Sequence, residues 1–308
     1  MPYFSVVIPV FNKEKFIEST LNSVLNQTFS DFEIILVNDG STDESEAKIL
    51  AYQDSRIKYF FKNNEGVART RNFGVEKTTA DHICFLDADD FWYPTFLETM
   101  YHYFQKYPDQ KIAACAIEIE TTKTVFHAHY SVTKNTDFEI VDFFKASEKM
   151  PILWTSSVVI HKNVFEEVGL FDPNIKKGED TELWIRIGLH FPILFIWKIL
   201  ARYVYDDDSI SRNNNYFFDD YTFQKYALEE KKHPALKKFM DLNRYSKVIK
   251  CKLIGDWETA KNAYTAIDFK NLNWKKKIII QMPPFILKML IHLKSFLTNS
   301  GLGHSVFR

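Results

Sequence analysis

Polar residues, most of them acids, end three strongly apolar and β-branched runs in the N-terminal third of the chain. Asn12 follows the first run, Asp39 the second, and Asp87 and Asp89 the third. This pattern is typical of buried parallel strands whose carboxyl ends open into a binding crevice. Because a buried carboxylate is costly unless it binds something, a phosphate-bearing ligand with a bound metal ion is the natural candidate.

Asp87 and Asp89 form the sharpest local signal in the sequence. Two carboxylates two positions apart at a strand end can point toward one ligand. Oxygen ligands of this kind suit a hard divalent cation such as Mg²⁺ or Mn²⁺. The alternative is an acidic turn that caps the helix expected after Pro94, and Asp90 could fill that role alone.

Three further candidates each have an ordinary structural explanation. Asp39 stands before Gly40, as in a simple strand–turn–helix connection. Asp180 begins a predicted helix, where the helix dipole favours acidic residues in any case. Arg71 suits an oxyanion through its fixed fork, but it could equally be a surface arginine, and Arg69 competes for the same role.

The elements that carry these residues alternate between strand and helix in the first half of the chain. Strands are predicted over residues 3–9, 32–38, 57–61 and 82–87, and helices over residues 66–77 and from Pro94 to about 107. The less regular second half predicts strands over 112–119, 124–130, 154–161 and 193–205, and helices over 163–168 and 180–189. The alternation predicts an α/β fold, with a mostly parallel, Rossmann-like sheet between helices.

Composition limits the function classes. The formal net charge of −1 over 308 residues gives no reason to expect a nucleic-acid partner. The cysteines Cys84, Cys115 and Cys251 lack metal-binding spacing and are predicted to be buried free thiols. There is no basic leader before an apolar segment, and no apolar run reaches the roughly 20 residues that span a bilayer, so we expect a cytoplasmic catalytic part.

Four motifs in sequence order resemble those of the inverting family-two glycosyltransferases, which have the nucleotide-sugar-binding GT-A fold. The motifs are Val6-Val7-Ile8-Pro9-Val10-Phe11-Asn12, Val37-Asn38-Asp39-Gly40-Ser41-Thr42-Asp43, Phe85-Leu86-Asp87-Ala88-Asp89-Asp90 and Gly178-Glu179-Asp180, with Asn64-Glu65-Gly66-Val67-Ala68-Arg69-Thr70-Arg71-Asn72-Phe73-Gly74 between the second and the third. The resemblance covers roughly residues 3–212. No single motif is specific, but their shared order is.

The resemblance implies how a nucleotide-diphospho-sugar donor is bound. Asp39 would accept a hydrogen bond from the base, commonly uracil, beside a loop that contains Pro9, Phe11 and Asn12. Arg71 would lie near the base or the diphosphate.

The resemblance also implies the catalytic groups. Asp87 would hold the ribose, Asp89 would contact Mg²⁺ or Mn²⁺ on the diphosphate, and Asp180 would act as the general base. The segment Trp154-Thr155-Ser156 would line the acceptor pocket. One departure concerns residues 205–212. No histidine precedes the Ser-x-Ser element, as one does in some relatives, and three acids replace a region that is often basic, so the sequence does not support a metal ligand from this segment.

The chain is predicted to divide near residue 215. Residues 1–215 would form the GT-A domain, with a nucleotide-sugar half over about 1–110 and an acceptor half over about 111–215, and residues 216–308 a helical extension. Within the extension, Lys275–Lys277 precede a helix at Phe285–Leu297 with a narrow polar stripe. This pattern fits either a helix lying in a membrane interface or a core helix.

The leading prediction is an inverting transferase that moves a sugar, most simply from a UDP-linked donor, to a hydroxyl group. The acceptor would be a glycan or a lipid-linked oligosaccharide in cell-surface polysaccharide synthesis, at the inner face of the membrane. The alternatives are a nucleotidyltransferase, which would want a Gly-rich basic loop that residues 9–16 lack, and a non-catalytic nucleotide- or sugar-binding module. A dehydrogenase is disfavoured because no G-x-G-x-x-G follows the first strand.

Overall fold

Strands in the described part of the chain form one ten-stranded sheet flanked by helices. A computed structural model describes residues 1–121, 124–204 and 220–299. The strands are β1 (Phe4–Val10), β2 (Phe32–Asn38), β3 (Ile57–Phe61), β4 (His82–Phe85), β5 (Phe91–Trp92), β6 (Ile112–Glu120), β7 (Val125–His127), β8 (Phe138–Val141), β9 (Val158–His161) and β10 (Ile193–Val204). The α/β architecture predicted from the sequence is confirmed.

Helices flank the sheet and build the C-terminal region. The helices are α1 (Ile17–Leu25), α2 (Ser45–Leu50), α3 (Val67–Lys77), α4 (Phe96–Lys106), α5 (Phe143–Ala146), α6 (Asn163–Val168), α7 (Glu179–His190), α8 (Asp220–Lys225), α9 (Glu229–Lys232), α10 (Pro234–Ile254), α11 (Trp257–Thr265), α12 (Trp274–Ile279) and α13 (Pro284–Asn299). Short 3₁₀ turns span Thr155–Ser157 and Phe269–Asn271. No helix of the described residues is long and apolar enough to cross a membrane.

Strand direction brings several carboxyl ends to one edge of the sheet. The strands run in the order β3-β2-β1-β4-β9-β6-β10-β5, and β1 to β4 are mutually parallel. Because β9 is antiparallel to both β4 and β6, and β10 is parallel to β6, both β6 and β10 run in the same direction as β1 to β4. The carboxyl ends of β1, β2, β4, β6 and β10 therefore lie at one edge of the sheet.

The core lies on both sides of the first parallel strands. Every residue of β1 and β2 is buried, as expected for strands that helices cover on both faces. Helix α3 approaches β1 closely at Gly74, since a Cβ atom there would stand 2.3 Å from Cγ1 of Val7. This close packing fixes the position of Arg71, one turn earlier on α3.

Some elements differ from those predicted. Strand β4 ends at Phe85, so Asp87 lies in the loop that follows it and not in the strand. The predicted strand over 124–130 is reduced to the three residues of β7. The short strands β5 and β8 were not predicted, because only their antiparallel pairing with the distant β10 makes them strands. The domain boundary predicted near residue 215, like residues 205–212, lies outside the described residues.

The C-terminal helices continue the main core and add a small one of their own. Phe239 of α10 packs against Phe143 and Phe144 of α5, with ring centroids 5.3 and 5.7 Å apart. The small core is formed by Tyr245, Val248, Ala263, Ile267, Leu272 and Ile280. Helices α10 and α11 and the end of α12 thus form a packed unit that contacts α5 through Phe239.

Candidate active site

The loops after β1 and β2 are tied together beside the crevice. Asn12 has a left-handed backbone with φ of 51°, and its Oδ1 accepts a hydrogen bond of 2.8 Å from the amide of Thr42. Phe11 exposes 42% of its surface next to this junction, whereas Pro9 is buried within β1. The predicted base-binding loop therefore offers one exposed aromatic ring.

Asp39 is buried and accepts hydrogen bonds from three donors. These are Nζ of Lys62 at 2.6 Å and the amides of Glu65 at 3.1 Å and Gly66 at 3.0 Å. Asp39 therefore also fixes the backbone just before α3, a structural role that needs no ligand. Since two carboxylate oxygens offer about four acceptor positions, one position remains for a further donor such as a nucleotide base.

Arg71 joins the two halves of the crevice. Its guanidinium is 4% exposed and donates to Oδ1 of Asp87 at 2.7 Å and to Oε1 of Glu179 at 2.8 Å. Burial alone would lower the pKa of Arg71, but the two carboxylates raise it overall, so the charge is permanent. Arg69 is exposed, so of the two arginines Arg71 is the one inside the site. Its position beside base or diphosphate stays a prediction, because its two terminal nitrogens are engaged by acids.

Asp89 and Asp90 have different environments. Asp89 forms an ion pair of 2.6 Å with Nζ of Lys13 and keeps 15% of its side chain exposed. Asp90 is buried and accepts hydrogen bonds from Oγ of Ser156 and from the amide of Val204, and burial raises its pKa well above the usual range. Asp90 therefore ties the site loop to its neighbours, and Asp89 is the carboxylate that a ligand can reach.

The two acids at the start of α7, Glu179 and Asp180, also differ in burial. Glu179 is buried against Arg71, whereas Asp180 is half-buried and accepts hydrogen bonds from the amide and the hydroxyl of Thr181. Burial raises the pKa of Glu179 to about 7, with a further rise from Asp180 and an opposing effect of Arg71. Trp184, one turn later, is 1% exposed and acts in packing. Asp180 is thus the more accessible member of the pair.

The flank beyond Asp87 contains residues that the sequence also indicated. Ser156 accepts a hydrogen bond from the amide of Asp87, which places the segment 154–156 beside the acidic loop. The half-buried ring of Trp154 lies 5.3 Å from that of Tyr203 at the end of β10.

Sequence reasoning missed a polar cluster on this flank. Arg202 donates to Glu118 at 2.6 Å, to Glu120 at 2.8 Å and to the hydroxyl of Tyr93 at 2.7 Å. The alternation of Glu118 and Glu120 with isoleucines at the end of β6 could have indicated it. It also missed Lys13, whose only sequence signal is that it follows Asn12.

The carboxylates fit a divalent cation only if the ligand completes the coordination. The described residues contain no group of three or more His, Cys, Asp or Glu side chains that could hold a metal ion. Mg²⁺, however, is commonly held by one or two carboxylates together with substrate phosphates. Asp89, with Asp87 nearby, matches that type of site, and the ammonium group of Lys13 is the cation that neutralises it here.

Comparisons with known proteins identify the family of the chain. The family model described as glycosyl transferase family 2 matches residues 5–169. An uncharacterized glycosyltransferase of Rickettsia typhi is 30% identical over 204 residues, 65% of this chain and 63% of the relative. The uncharacterized glycosyltransferase EpsJ of Bacillus subtilis is 29% identical over 59% of this chain and 54% of its own. The chain thus spans less than two thirds of the length of these relatives.

Solved structures share the fold. The crystal structure of S. aureus TarS residues 1–349 in complex with UDP-GlcNAc has a TM-score of 0.61 at 16% identity, over 85% of this chain and 89% of that one. The crystal structure of S. aureus TarS covers 96% of this chain and 49% of its own, with a TM-score of 0.57 at 15% identity. At these identities the likeness extends to the fold alone.

Proposed function

The chain belongs to glycosyl transferase family 2, and we propose that it moves a sugar from a UDP-linked donor to a hydroxyl group with inversion at the anomeric carbon. The observation that supports the proposal is that Asp39, Asp87 and Asp89 follow parallel strands at one edge of the sheet, where Arg71 links Asp87 to Glu179, the neighbour of Asp180. Family membership favours sugar transfer over nucleotidyl transfer and over binding without catalysis.

The donor would lie across the ends of β1, β2 and β4. Asp39 has one acceptor position left for the base, and the exposed ring of Phe11 would pack beside it. Asp87 would hold the ribose, in an orientation that Arg71 fixes. The UDP and UDP-GlcNAc complexes of TarS support a uridine nucleotide as the donor.

The reaction needs a base and a place for the leaving diphosphate. Asp180 would take the proton from the acceptor hydroxyl while the hydroxyl oxygen attacks the anomeric carbon. Glu179, held by Arg71, would fix the start of α7 and with it the position of Asp180. A bound Mg²⁺ or Mn²⁺ would neutralise the charge that develops on the diphosphate, and Asp89 would hold it. On metal binding, the ammonium group of Lys13 would either leave Asp89 or remain paired with it beside the metal ion.

Asp39→Ala tests the nucleotide site separately from the chemistry. We expect the variant to bind UMP at least roughly tenfold more weakly, because it loses a charge-assisted hydrogen bond to the base. The measurement is calorimetric titration with UMP, which carries neither the diphosphate nor the sugar. Asp81→Ala, at an exposed aspartate before β4, is the control and should bind normally. Equal affinity of both variants for UMP would show that Asp39 does not contact the base.

The acceptor would be a glycan or a lipid-linked oligosaccharide at the cytoplasmic face of the cell membrane. Five large apolar side chains of α12 and α13 are more than half exposed, and we call them the C-terminal apolar surface: Trp274, Ile278, Phe285, Met289 and Leu293. Lys275 and Lys277 lie beside them and are exposed. An apolar face with flanking lysines is typical of a helix that lies in a membrane interface.

Substitution is a better test of this surface than deletion. Ile280 and Leu287 are 1% and 2% exposed, so removing both helices would open the packed core. Phe285→Gln, Met289→Gln and Leu293→Gln together should reduce binding to phosphatidylserine vesicles by more than about tenfold, since burying such a side chain contributes about 1.5–3 kcal/mol. Vesicle sedimentation measures this.

An equal number of exposed apolar residues elsewhere provides the control. Leu50→Gln, Phe61→Gln and Ile140→Gln change side chains that are 54%, 54% and 51% exposed on the catalytic domain. Vesicle binding of this control should be unchanged. If both triple variants bind vesicles alike, the C-terminal apolar surface is not a membrane contact.

A further inference from the structure

A separate cavity of about 670 Å³ lies between the acceptor half and the C-terminal helices. One wall comes from Phe126 of β7 and residues 148–150, and the other from α10 and the residues that lead into α12. The volume falls within the roughly 300–1,000 Å³ typical of small-molecule sites. None of the residues placed in the crevice lines this cavity, so its ligand is not the donor nucleotide.

Four lysines and a single acidic residue line this space, which we call the lysine cavity. Lys238 is neutralised by Glu148 in an ion pair of 2.7 Å, and Lys276 lies over the ring of Tyr245, 4.8 Å from its centroid. Across the described parts of the chain, the ammonium groups of Lys149 and Lys270 form neither an ion pair nor a hydrogen bond. Two uncompensated positive charges beside one cavity favour an anionic ligand.

Apolar and uncharged polar side chains share the rest of the lining of the lysine cavity. The apolar ones are Phe126, Met150, Leu242 and Leu272, and the polar ones are His129, Ser131, Asn271 and Asn273. An anionic group in the cavity would therefore have apolar surface on one side and further hydrogen-bonding groups on another. A phosphate group matches this setting better than a carboxylate, because its charge of up to two can be shared between the ammonium groups of Lys149 and Lys270.

Two segments of the first wall of the lysine cavity continue toward the acceptor flank of the crevice. Phe126 pairs with Ile119 of β6, next to Glu118 of the polar cluster. Met150 leads through Pro151, whose carbonyl accepts a hydrogen bond of 2.8 Å from Nε1 of Trp154. A long acceptor that enters the crevice past Trp154 would thus have the lysine cavity on the same side of the molecule.

We propose that the lysine cavity holds a phosphate group of the acceptor. This inference rests on the proposed function, and it narrows the acceptor to a phosphate-bearing molecule. The phosphate can belong to the glycan itself or to the lipid that carries it, and the two sources share the same chemistry at the lysines. The two sources differ in one respect: only a lipid carries a long apolar chain, which would pack against the apolar side chains of the cavity.

Calorimetric titration of the full chain with three probes tests this proposal. Decyl phosphate carries both the anion and the chain, glycerol 1-phosphate only the anion, and decanol only the chain. We expect decyl phosphate to bind and decanol not to bind. Binding of glycerol 1-phosphate as tight as that of decyl phosphate would assign the phosphate to a glycan, and clearly weaker binding would assign it to a lipid.

Paired variants locate the binding. Lys149→Gln with Lys270→Gln should weaken decyl phosphate binding by roughly tenfold, since two exposed charge contacts are lost. Lys134→Gln with Lys145→Gln changes two exposed lysines outside the cavity and should leave the affinity unchanged.

Three results would overturn the proposal: no binding of decyl phosphate, equal binding of decanol, or equal weakening in the two paired variants. UDP titration of the same proteins reports the donor site independently. A wild-type protein that binds decyl phosphate but not UDP would contradict the proposed function and leave the phosphate site standing.

Discussion

Asp180→Asn is expected to reduce turnover by roughly 10²-fold or more while donor binding stays close to that of the wild type. The substitution keeps the shape of the side chain but removes the group that would accept the proton of the acceptor hydroxyl. Donor affinity should survive because the expected donor contacts, Asp39 and Asp87, lie in the loops that follow β2 and β4. The measurement is release of free nucleoside diphosphate from donor and acceptor, with UDP titration in parallel.

A neighbouring acid provides the control for this variant. Glu166→Gln changes an exposed carboxylate on α6, outside the crevice, and should leave turnover unchanged. Near-normal turnover of Asp180→Asn would exclude Asp180 as the base. A loss of UDP affinity equal to the loss of turnover would assign Asp180 to donor binding.

Asp89→Ala should abolish the part of UDP affinity that depends on Mn²⁺. The variant loses the carboxylate that pairs with the lysine Lys13, whereas Asp87 in the same loop pairs with the buried Arg71. UDP titration with Mn²⁺ and with a chelator gives the ratio of the two affinities. We expect a ratio well above one in the wild type and near one in Asp89→Ala. A ratio unchanged by the substitution would show that Asp89 does not hold the cation.

Asp90→Ala provides the contrast, because the structure gives Asp90 a different role. Its carboxylate satisfies Ser156 and the amide of Val204 inside the protein. Removing it leaves buried donors without an acceptor, at a cost of about 1–3 kcal/mol of stability. Asp90→Ala should therefore lower the thermal unfolding midpoint, while the Mn²⁺ dependence of any folded protein should persist.

The first half of the fold was predictable because its local signals agree with one another. The runs that became β1 and β2 are apolar, β-branched and bounded by turn residues, so the strand pattern and the burial pattern coincide. Helix α7 was predicted to within one residue at each end, from its acidic start and its apolar spacing. The family motifs then placed the acidic residues at the strand ends.

Partners far apart in sequence could not be predicted. Arg71 and Glu179 are 108 positions apart, and nothing in either segment shows that they form an ion pair. The same applies to the ion pair of Lys13 and Asp89, which are 76 positions apart. Nor does the sequence show that Asp89 is accessible while Asp90 is buried and bonded to Ser156 and Val204. These contacts are set by the way in which loops converge at a sheet edge, which depends on the strand order.

The C-terminal helices show a second limit of sequence reasoning. The pattern of α13 fits both a membrane-facing helix and a core helix, and the structure shows one side of the helix buried and the other side exposed. Leu287 packs inward, whereas Phe285, Met289 and Leu293 point outward. The lysine cavity likewise depends on the packing of α10 and α12 against residues 148–150, which no local pattern encodes.

Calorimetric titration of the full chain with UDP in the presence of Mn²⁺ tests the central claim most directly. The account predicts saturable binding that weakens in Asp39→Ala and loses its Mn²⁺ dependence in Asp89→Ala. Absence of binding up to about 1 mM, for UDP and for the other nucleoside diphosphates alike, would contradict the claim that this crevice holds a nucleotide-sugar donor.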